Sequence, residues 1–330
     1  MAPAPAAPRL TPPTLRDVLD ARRLLAAHLE PTPARTYASL DRATGARVVV
    51  KHENLQPTGA FKVRGALNLL LRTSPAERRR GVVAFSTGNH AQAVAHAARA
   101  TATPCTIVMP VDPNPTKATA VRDLGAHLVL AGDTFDDARE HATTLAGQSG
   151  ARLVSAANEP LLVAGVATAY LELLEQAPDL DTLVVPVGGG SGAAAACLVA
   201  AALAPDLDVV AVQAAASPAA HDSWRAGELL ARPNASRAEG LATGTGFALT
   251  QAVLREHLTD FVLVDDDAVD RAAAHYLTDA RTVAEGAGAA ALAAVLADPD
   301  RFAGHRVGVV CSGGNASPAE LRHVVGRLPS

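Results

Sequence analysis

The run Leu183-Val-Val-Pro-Val-Gly-Gly-Gly-Ser-Gly192 passes from five apolar residues straight into a turn of four glycines and a serine, and then into the alanine-rich stretch Ala193–Leu203. A short apolar run bounded by turn residues reads as a buried strand, and the alanines after it as a helix. The glycines between them set bare backbone N–H groups at a helix N-terminus, where negative charge is favoured. Two other runs are built alike: Val82–Phe85 leads into Ser86-Thr-Gly-Asn-His90, and Val307–Val310 into Cys311-Ser-Gly-Gly-Asn315. Taken singly, each turn is adequately explained as a tight strand-to-helix connection. In open α/β sheets, however, ligands collect outside the carboxyl ends of the strands, so the turns together indicate one shared site.

Working outward, further β-rich runs occur at Val48–Val50, Thr106–Met109, Leu128–Leu130, Leu153–Ser155, Val209–Val212 and Phe261–Val264, most of them separated by helical stretches. Parallel strands need crossovers and those are normally helices, so the rhythm predicts α/β architecture, a mostly parallel sheet covered on both faces. Thr14–Leu29 has helical apolar spacing, with Thr14 as N-cap and Pro31 beyond its end. Arg225–Phe247, punctuated by Gly227, Pro233, Asn234, Gly240, Gly244 and Gly246, reads as a long irregular connection of the kind that carries function. The expected division is a smaller α/β unit, residues 77–159, inserted in a larger one made of residues 1–76 and 160–330.

The 330 residues are 49% hydrophobic and 19% charged, with a net charge of −4, which excludes a disordered chain and gives no electrostatic footprint for nucleic acid or anionic lipid. The longest apolar run, Ala193–Ala204, would extend about 18 Å as a helix, short of the ~30 Å core of a bilayer, so no membrane partner is expected. Cys105, Cys197 and Cys311 are odd in number and far apart, which supports neither a disulfide framework nor a cysteine metal site. The tail Met1–Pro8 lacks the basic and apolar regions of a signal peptide, so a cytoplasmic location is expected. Aromatic residues are 3%, which leaves close packing of alanine-rich helices to fill the core.

Lysine usage is the most informative statistic. Only Lys51, Lys62 and Lys117 among 29 basic residues are lysine, so arginine serves wherever a generic positive charge suffices. A desolvated lysine can lose its proton and form an imine, which arginine cannot. Lys62 stands at a turn-to-helix transition in Pro57-Thr-Gly-Ala-Phe-Lys-Val-Arg-Gly65, between Phe61 and Val63, where desolvation lowers its pKa. Lys51 and Lys117 read as surface or positioning residues. The Gly188 turn is not a P-loop, since no Gly-Lys-Ser/Thr follows. It matches a dinucleotide fingerprint only loosely, with Gln213 where an acidic residue is required. The histidines show no metal-ligand spacing and read as surface or packing residues, His90 excepted by its place in a site turn. Asp265-Asp-Asp267 reads as helix capping, and Trp224 and Tyr170 as packing. A reactive lysine, a phosphate cradle and two further polar turns together specify pyridoxal 5′-phosphate.

At this point the motifs resemble a known family. Gly59-Ala-Phe-Lys-Val-Arg-Gly65, Ser86-Thr-Gly-Asn-His-Ala-Gln92, Gly188-Gly-Gly-Ser191 and Cys311-Ser-Gly-Gly-Asn315 are similar, in order and spacing over roughly residues 10 to 328, to those of fold-type II pyridoxal phosphate enzymes. Among these, the chain resembles threonine/serine dehydratases (ammonia-lyases) and serine racemases. The resemblance implies a tryptophan synthase β-like fold of two three-layer αβα domains with the cofactor between them. It also implies that Lys62 carries the cofactor and is catalytic, with Phe61 beside the ring and Asn89 at its 3′-oxygen. Gly188, Gly189, Gly190 and Ser191 would hold the phosphate, Ser312 would face the pyridine nitrogen, and Glu285 of Glu-Gly-Ala-Gly288 would lie beside the ring. The turn Ser86, Thr87, Gly88, Asn89 and His90 would bind the carboxylate of a small amino-acid substrate, in a domain that closes on it. The implied reaction is α,β-elimination of threonine and/or serine to a 2-oxo acid and ammonia. Serine racemase, 3-hydroxyaspartate dehydratase and β-replacement activities are the alternatives, beside a binding protein that has lost turnover. A homodimer is expected.

Three departures matter. Ser191 replaces the fourth glycine of the phosphate loop, and Thr87 stands where racemases carry an acid/base serine. At the family's metal position Gln213 and Ala219 replace carboxylates, so no metal is expected there. The chain ends shortly after Asn315, so a C-terminal effector domain is not expected either.

Overall fold

The structure, a computed structural model, describes residues 10–328 apart from residue 114; the Met1–Pro8 tail lies outside the described residues. Among the described residues, ten strands form two sheets: β1 (Ala34–Thr36), β2 (Arg47–His52), β3 (Val82–Phe85), β4 (Cys105–Met109), β5 (His127–Leu130), β6 (Arg152–Leu153), β7 (Thr182–Pro186), β8 (Asp208–Ala214), β9 (Asp260–Val264) and β10 (Arg306–Cys311). The six-stranded sheet runs β1-β2-β10-β7-β8-β9 and the four-stranded sheet β5-β4-β3-β6. Every pairing is parallel except that of β1 with β2, so the architecture is α/β with one mixed and one parallel sheet.

The two-residue period of a strand sends alternate side chains to opposite faces, and here both faces are covered. Val48, Val50, Val184, Val210, Val212, Val307 and Val309 pack on one side of the larger sheet against the helices Asp266–Thr278 and Gly286–Ala297. Val49, Leu183, Val185, Val209, Ala211 and Val310 face the other way, toward the helices Pro160–Gln176, Ser191–Leu203 and Ala248–His257. The smaller sheet is sandwiched likewise. Val82, Ala84, Ile107 and Met109 meet the helices Lys62–Leu71 and Asn89–Ala100, while Val83 and Val108 meet Ala138, Ala142 and Ala146 of Phe135–Ser149.

One crossing sets the position of the Lys62 helix. A Cβ on Gly65 would lie 2.7 Å from the Leu162 carbonyl oxygen, and one on Gly165 would lie 2.5 Å from that of Arg64, so these helices touch backbone to backbone. Only glycine permits so close an approach. Arg64 is 1% exposed in this contact and is clamped from two sides. Its Nε and Nη2 donate to Glu53 at 2.7 and 2.8 Å, and its Nη1 and Nη2 donate to Glu172 at 2.6 and 2.7 Å.

Several sequence expectations need adjustment. The first helix spans Leu15–Leu25, its N-terminus fixed by a Thr14–Asp17 capping box, and does not reach Leu29. The run at Leu153–Ser155 is shorter than expected: β6 ends at Leu153, the Val154 N–H still donates to the Val83 carbonyl at 2.8 Å, and the Ser155 hydroxyl accepts from the backbone N–H groups of Ala157 and Asn158, which starts the turn. Lys51 and Lys117 are not surface residues. Lys51 is 1% exposed, its Nζ donating to the Thr32 carbonyl at 2.7 Å and to Glu172 at 2.8 Å, and Lys117 is 6% exposed. The connection from Gly227 to Phe247 is free of helix and strand, with one isolated bridge between Ala231 and Thr245. No helix among the described residues is long and apolar enough to cross a membrane.

Candidate active site

The Lys62 helix begins where three turns are stitched together. Gly59 takes φ of +67°, a left-handed conformation that suits glycine, and its carbonyl accepts the Gly314 N–H at 2.8 Å. The Phe61 N–H donates to the Ser312 carbonyl at 3.1 Å, and Asn315 Nδ2 donates to the Thr58 carbonyl at 2.8 Å. The end of β10 is thereby joined to the segment that presents Lys62. Ser312 itself is 5% exposed, with its hydroxyl 3.2 Å from the Ala287 carbonyl.

From this support Lys62 Nζ reaches Ser191 Oγ at 2.9 Å and lies 4.9 Å from the centroid of the Phe61 ring. Burial pushes its pKa down to about 8, since the charged ammonium is the form that loses solvation. Ser191 opens the helix Ser191–Leu203, and Gly190 precedes it at φ +86°. The unpaired first-turn N–H groups of that helix therefore point at the lysine's end of the site. Thr250 Oγ1 donates to the Gly189 carbonyl at 2.8 Å and Thr243 Oγ1 to the Gly188 carbonyl at 3.2 Å, which turns the carbonyls away and leaves the amides as donors.

The loop has no room for side chains: a Cβ on Gly188 would lie 2.1 Å from the Gly240 carbonyl oxygen. Gly188→Ala should accordingly displace the loop and weaken pyridoxal phosphate binding about tenfold, measured by fluorescence titration of cofactor-stripped protein. An unchanged affinity would show that this loop does not hold the phosphate.

The Ser86–His90 turn enters from the smaller sheet. Asn89 opens the helix Asn89–Ala100, donates from Nδ2 to Glu285 and accepts at Oδ1 from Asn315 at 2.8 Å. Glu285 is buried, and burial raises its carboxyl to about 7 against the opposing pull of Lys117 and of the Asn89 hydrogen bond. Ser86 Oγ accepts the Gly88 N–H at 3.2 Å, and Ser86, Thr87, Gly88 and Asn89 are half-buried. The buried His90 ring has its Nε2 3.2 Å from the Val154 carbonyl, and burial, aided by the charge of Lys62, pushes its pKa down to about 4. The ring is therefore neutral, with a buried Nδ1 that has no hydrogen-bond partner among the described residues.

The structure thus brings Phe61, Lys62, Gly188, Gly189, Gly190 and Ser191 together, and joins Asn89 and Glu285 across the two sheets. Asn315, Thr243 and Thr250 carry hydrogen bonds that sequence reasoning did not assign. Asn315 stood inside a quoted motif and was within reach of such a reading, whereas the two threonines meet the glycines only through the fold. At the family's metal position, Gln213 Oε1 accepts the N–H groups of Ala220 and His221 at 3.1 and 3.0 Å, so its amide caps a helix. Asp265 caps the helix after it, accepting from Ala268 N at 2.6 Å. Asp267, Asp270 and His323 approach one another, but Arg237 and Arg327 already pair with those carboxylates.

With this geometry in view, the comparison with protein families is decisive: the model for pyridoxal-phosphate dependent enzymes matches residues 25–313. The chain belongs to that family. Pyridoxal phosphate is its cofactor, and the fold is that of the fold-type II enzymes. An L-threonine ammonia-lyase of Thermotoga maritima is 37% identical over 95% of this chain and 78% of its own length. An L-threo-3-hydroxyaspartate ammonia-lyase of Pseudomonas is 38% identical over 91% of this chain and 94% of its own. Among solved structures, maize serine racemase superposes with a TM-score of 0.90 at 29% identity, covering 96% of this chain and 98% of that one. The residues fit the cofactor. A lysine amine with a lowered pKa faces a helix N-terminus, and the loop before that helix is one that a side chain at Gly188 would fill.

Proposed function

We propose that this enzyme eliminates water from a 3-hydroxy amino acid, threonine and/or serine, to give a 2-oxo acid and ammonia. The observation that carries this reading is the Lys62 amine, depressed to about 8 and held 2.9 Å from Ser191. When bound, pyridoxal phosphate supplies an electron sink that acidifies the substrate Cα–H. Lys62 Nζ is the base that takes this proton, a role that needs a free electron pair near neutral pH. Gly188, Gly189, Gly190 and Ser191 bind the phosphate through backbone N–H groups and the Ser191 hydroxyl. Ser86, Thr87, Gly88, Asn89 and His90 hold the substrate carboxylate at the start of the helix Asn89–Ala100.

When bound, the cofactor ring would pack beside Phe61, with Asn89, oriented by Asn315, as the donor to its 3′-oxygen. Glu285, which keeps its proton up to about 7, would lie next to that ring. Ser312 would offer the pyridine nitrogen a neutral hydroxyl. A hydroxyl there, unlike a carboxylate, does not hold the ring protonated, which favours elimination over transamination. Residues 77–159 form the unit that closes over the substrate, and the enzyme works as a cytoplasmic homodimer.

The names of the relatives support the reaction class, and Thr87 argues against racemisation because it replaces the serine that acts on the opposite face. L-Serine in deuterated water should yield pyruvate in large excess over D-serine, read by chiral chromatography. D-Serine forming as fast as pyruvate would make the enzyme a racemase. L-Threonine and L-threo-3-hydroxyaspartate belong in the same panel, since the Pseudomonas relative is named for the latter.

A further inference from the structure

Lys117 is the one lysine whose position neither the chemistry of the site nor the buried Arg64 cluster uses. It lies on the helix Pro115–Asp123, whose Ala118 and Val121 are buried with Ile107 and Met109 in the core of the smaller sheet. Its ammonium pairs with Glu239, from the irregular connection after Gly227. The backbone around Glu239 belongs to the larger sheet. Ala238 and Leu241 are buried with Val212 and Val264, and Ser236 Oγ and the Arg237 N–H both donate to Asp266, at 2.6 and 2.9 Å. The next residue, Gly240, is the one whose carbonyl presses on Gly188 of the phosphate loop. The ion pair therefore joins two separate cores beside the cofactor site, and the Lys117 side chain is only 8% exposed within it. Its charge also reaches Glu285, the partner of Asn89.

We propose that the Lys117–Glu239 pair is a clasp that holds the smaller unit closed over the substrate, which makes both of them positioning residues. They act by keeping Asn89 and the Ser86–His90 turn against Glu285 and Asn315. This rests on the proposed closure of residues 77–159 over a small amino acid. An ion pair whose members ride on different bodies is strong only while the bodies meet; removing Glu239 leaves the Lys117 ammonium desolvated and unpaired, whereas Glu239, 48% exposed, stays hydrated when Lys117 is removed.

The test uses the holoenzyme and the variants Glu239→Gln, Lys117→Met and the pair combined. Each single variant should raise KM for the best 3-hydroxy amino acid about tenfold while kcat changes less than about threefold. The combined variant should be no worse than either single one, since one interaction is lost in all three. Hydrogen exchange should quicken in residues 115–123 and 227–247 together. Additive effects on KM, or unchanged KM and unchanged exchange in both single variants, would overturn the clasp. If no 3-hydroxy amino acid is turned over, the proposed reaction fails while exchange still decides the clasp. Quickening in both segments of the Glu239→Gln holoenzyme upholds it, and unaltered protection overturns it.

Discussion

Replacing Lys62 by alanine should abolish the visible absorbance of the lysine-linked cofactor and lower turnover by about a thousandfold or more. Lys62→Arg should be as inactive, because guanidinium keeps its proton at any pH the protein survives. The two variants together separate charge from chemistry. If a positive group near Ser191 were all that the site needs, arginine would restore activity. Absorbance spectra of both proteins after addition of pyridoxal phosphate, followed by 2-oxo acid assays, give the answer. Wild-type activity in either variant would remove Lys62 from its role. Lys51 and Lys117 are no substitutes, since each is already paired with a carboxylate, Glu172 and Glu239 respectively.

The second large effect is on stability. Arg64→Leu should cost about 3–5 kcal/mol, the usual result of deleting one member of a buried ionic cluster, because Glu53, fully buried, would keep no guanidinium partner. Adding Glu53→Gln to Arg64→Leu should recover part of the loss, as measured by urea unfolding of both variants. Equal destabilisation of single and double variants would mean that packing, and not the orphaned charge, sets the cost. The pH dependence has a definite sign. Burial alone would raise the Glu53 carboxyl, but the charge and hydrogen bonds of Arg64 prevail and hold it below its ordinary value of 4.5. A depressed carboxylate stabilises the fold above its unfolded pKa, and that contribution is lost as pH falls through the folded value. The wild-type protein should therefore lose this contribution only below about pH 4.5, and the Arg64→Leu protein should lack that part of the acid transition.

How much of this was legible in the chain depended on whether the controlling contacts are local. The turns after β3, β7 and β10 announce themselves, because a glycine turn must interrupt an apolar run wherever backbone donors are to be bared. The lysine inventory singled out Lys62 because the chain otherwise uses arginine. Contacts between distant segments left no such trace. Nothing in their spacing marks Glu53 and Arg64 as a pair, and the burial of Arg64 follows from the Gly65–Gly165 crossing, a meeting of residues a hundred positions apart. The burial of Lys51 depends on Glu172 of another helix, and that of Lys117 on a carboxylate in a stretch without periodicity. The direction of the His90 ring is likewise set by Val154, the residue that follows β6. Strand β1 escaped notice because three residues are too few to show alternation.

The strand order β1-β2-β10-β7-β8-β9 has a consequence for how the protein is made. On the ribosome the chain appears from its N-terminus, yet β2 pairs with β10, whose Val307 registers with Val48, and β10 in turn fills the gap beside β7. The larger sheet cannot close until β10 has emerged, and until then β2 and β7 each present an unsatisfied edge. The smaller sheet faces no such delay, because its strands lie consecutively between Val82 and Leu153 and can pair while the second half is still being synthesised. Lys62 emerges early but acquires Ser191 and the Ser312 turn last. The lysine and the turns around it are thus brought together only after β10 has been made.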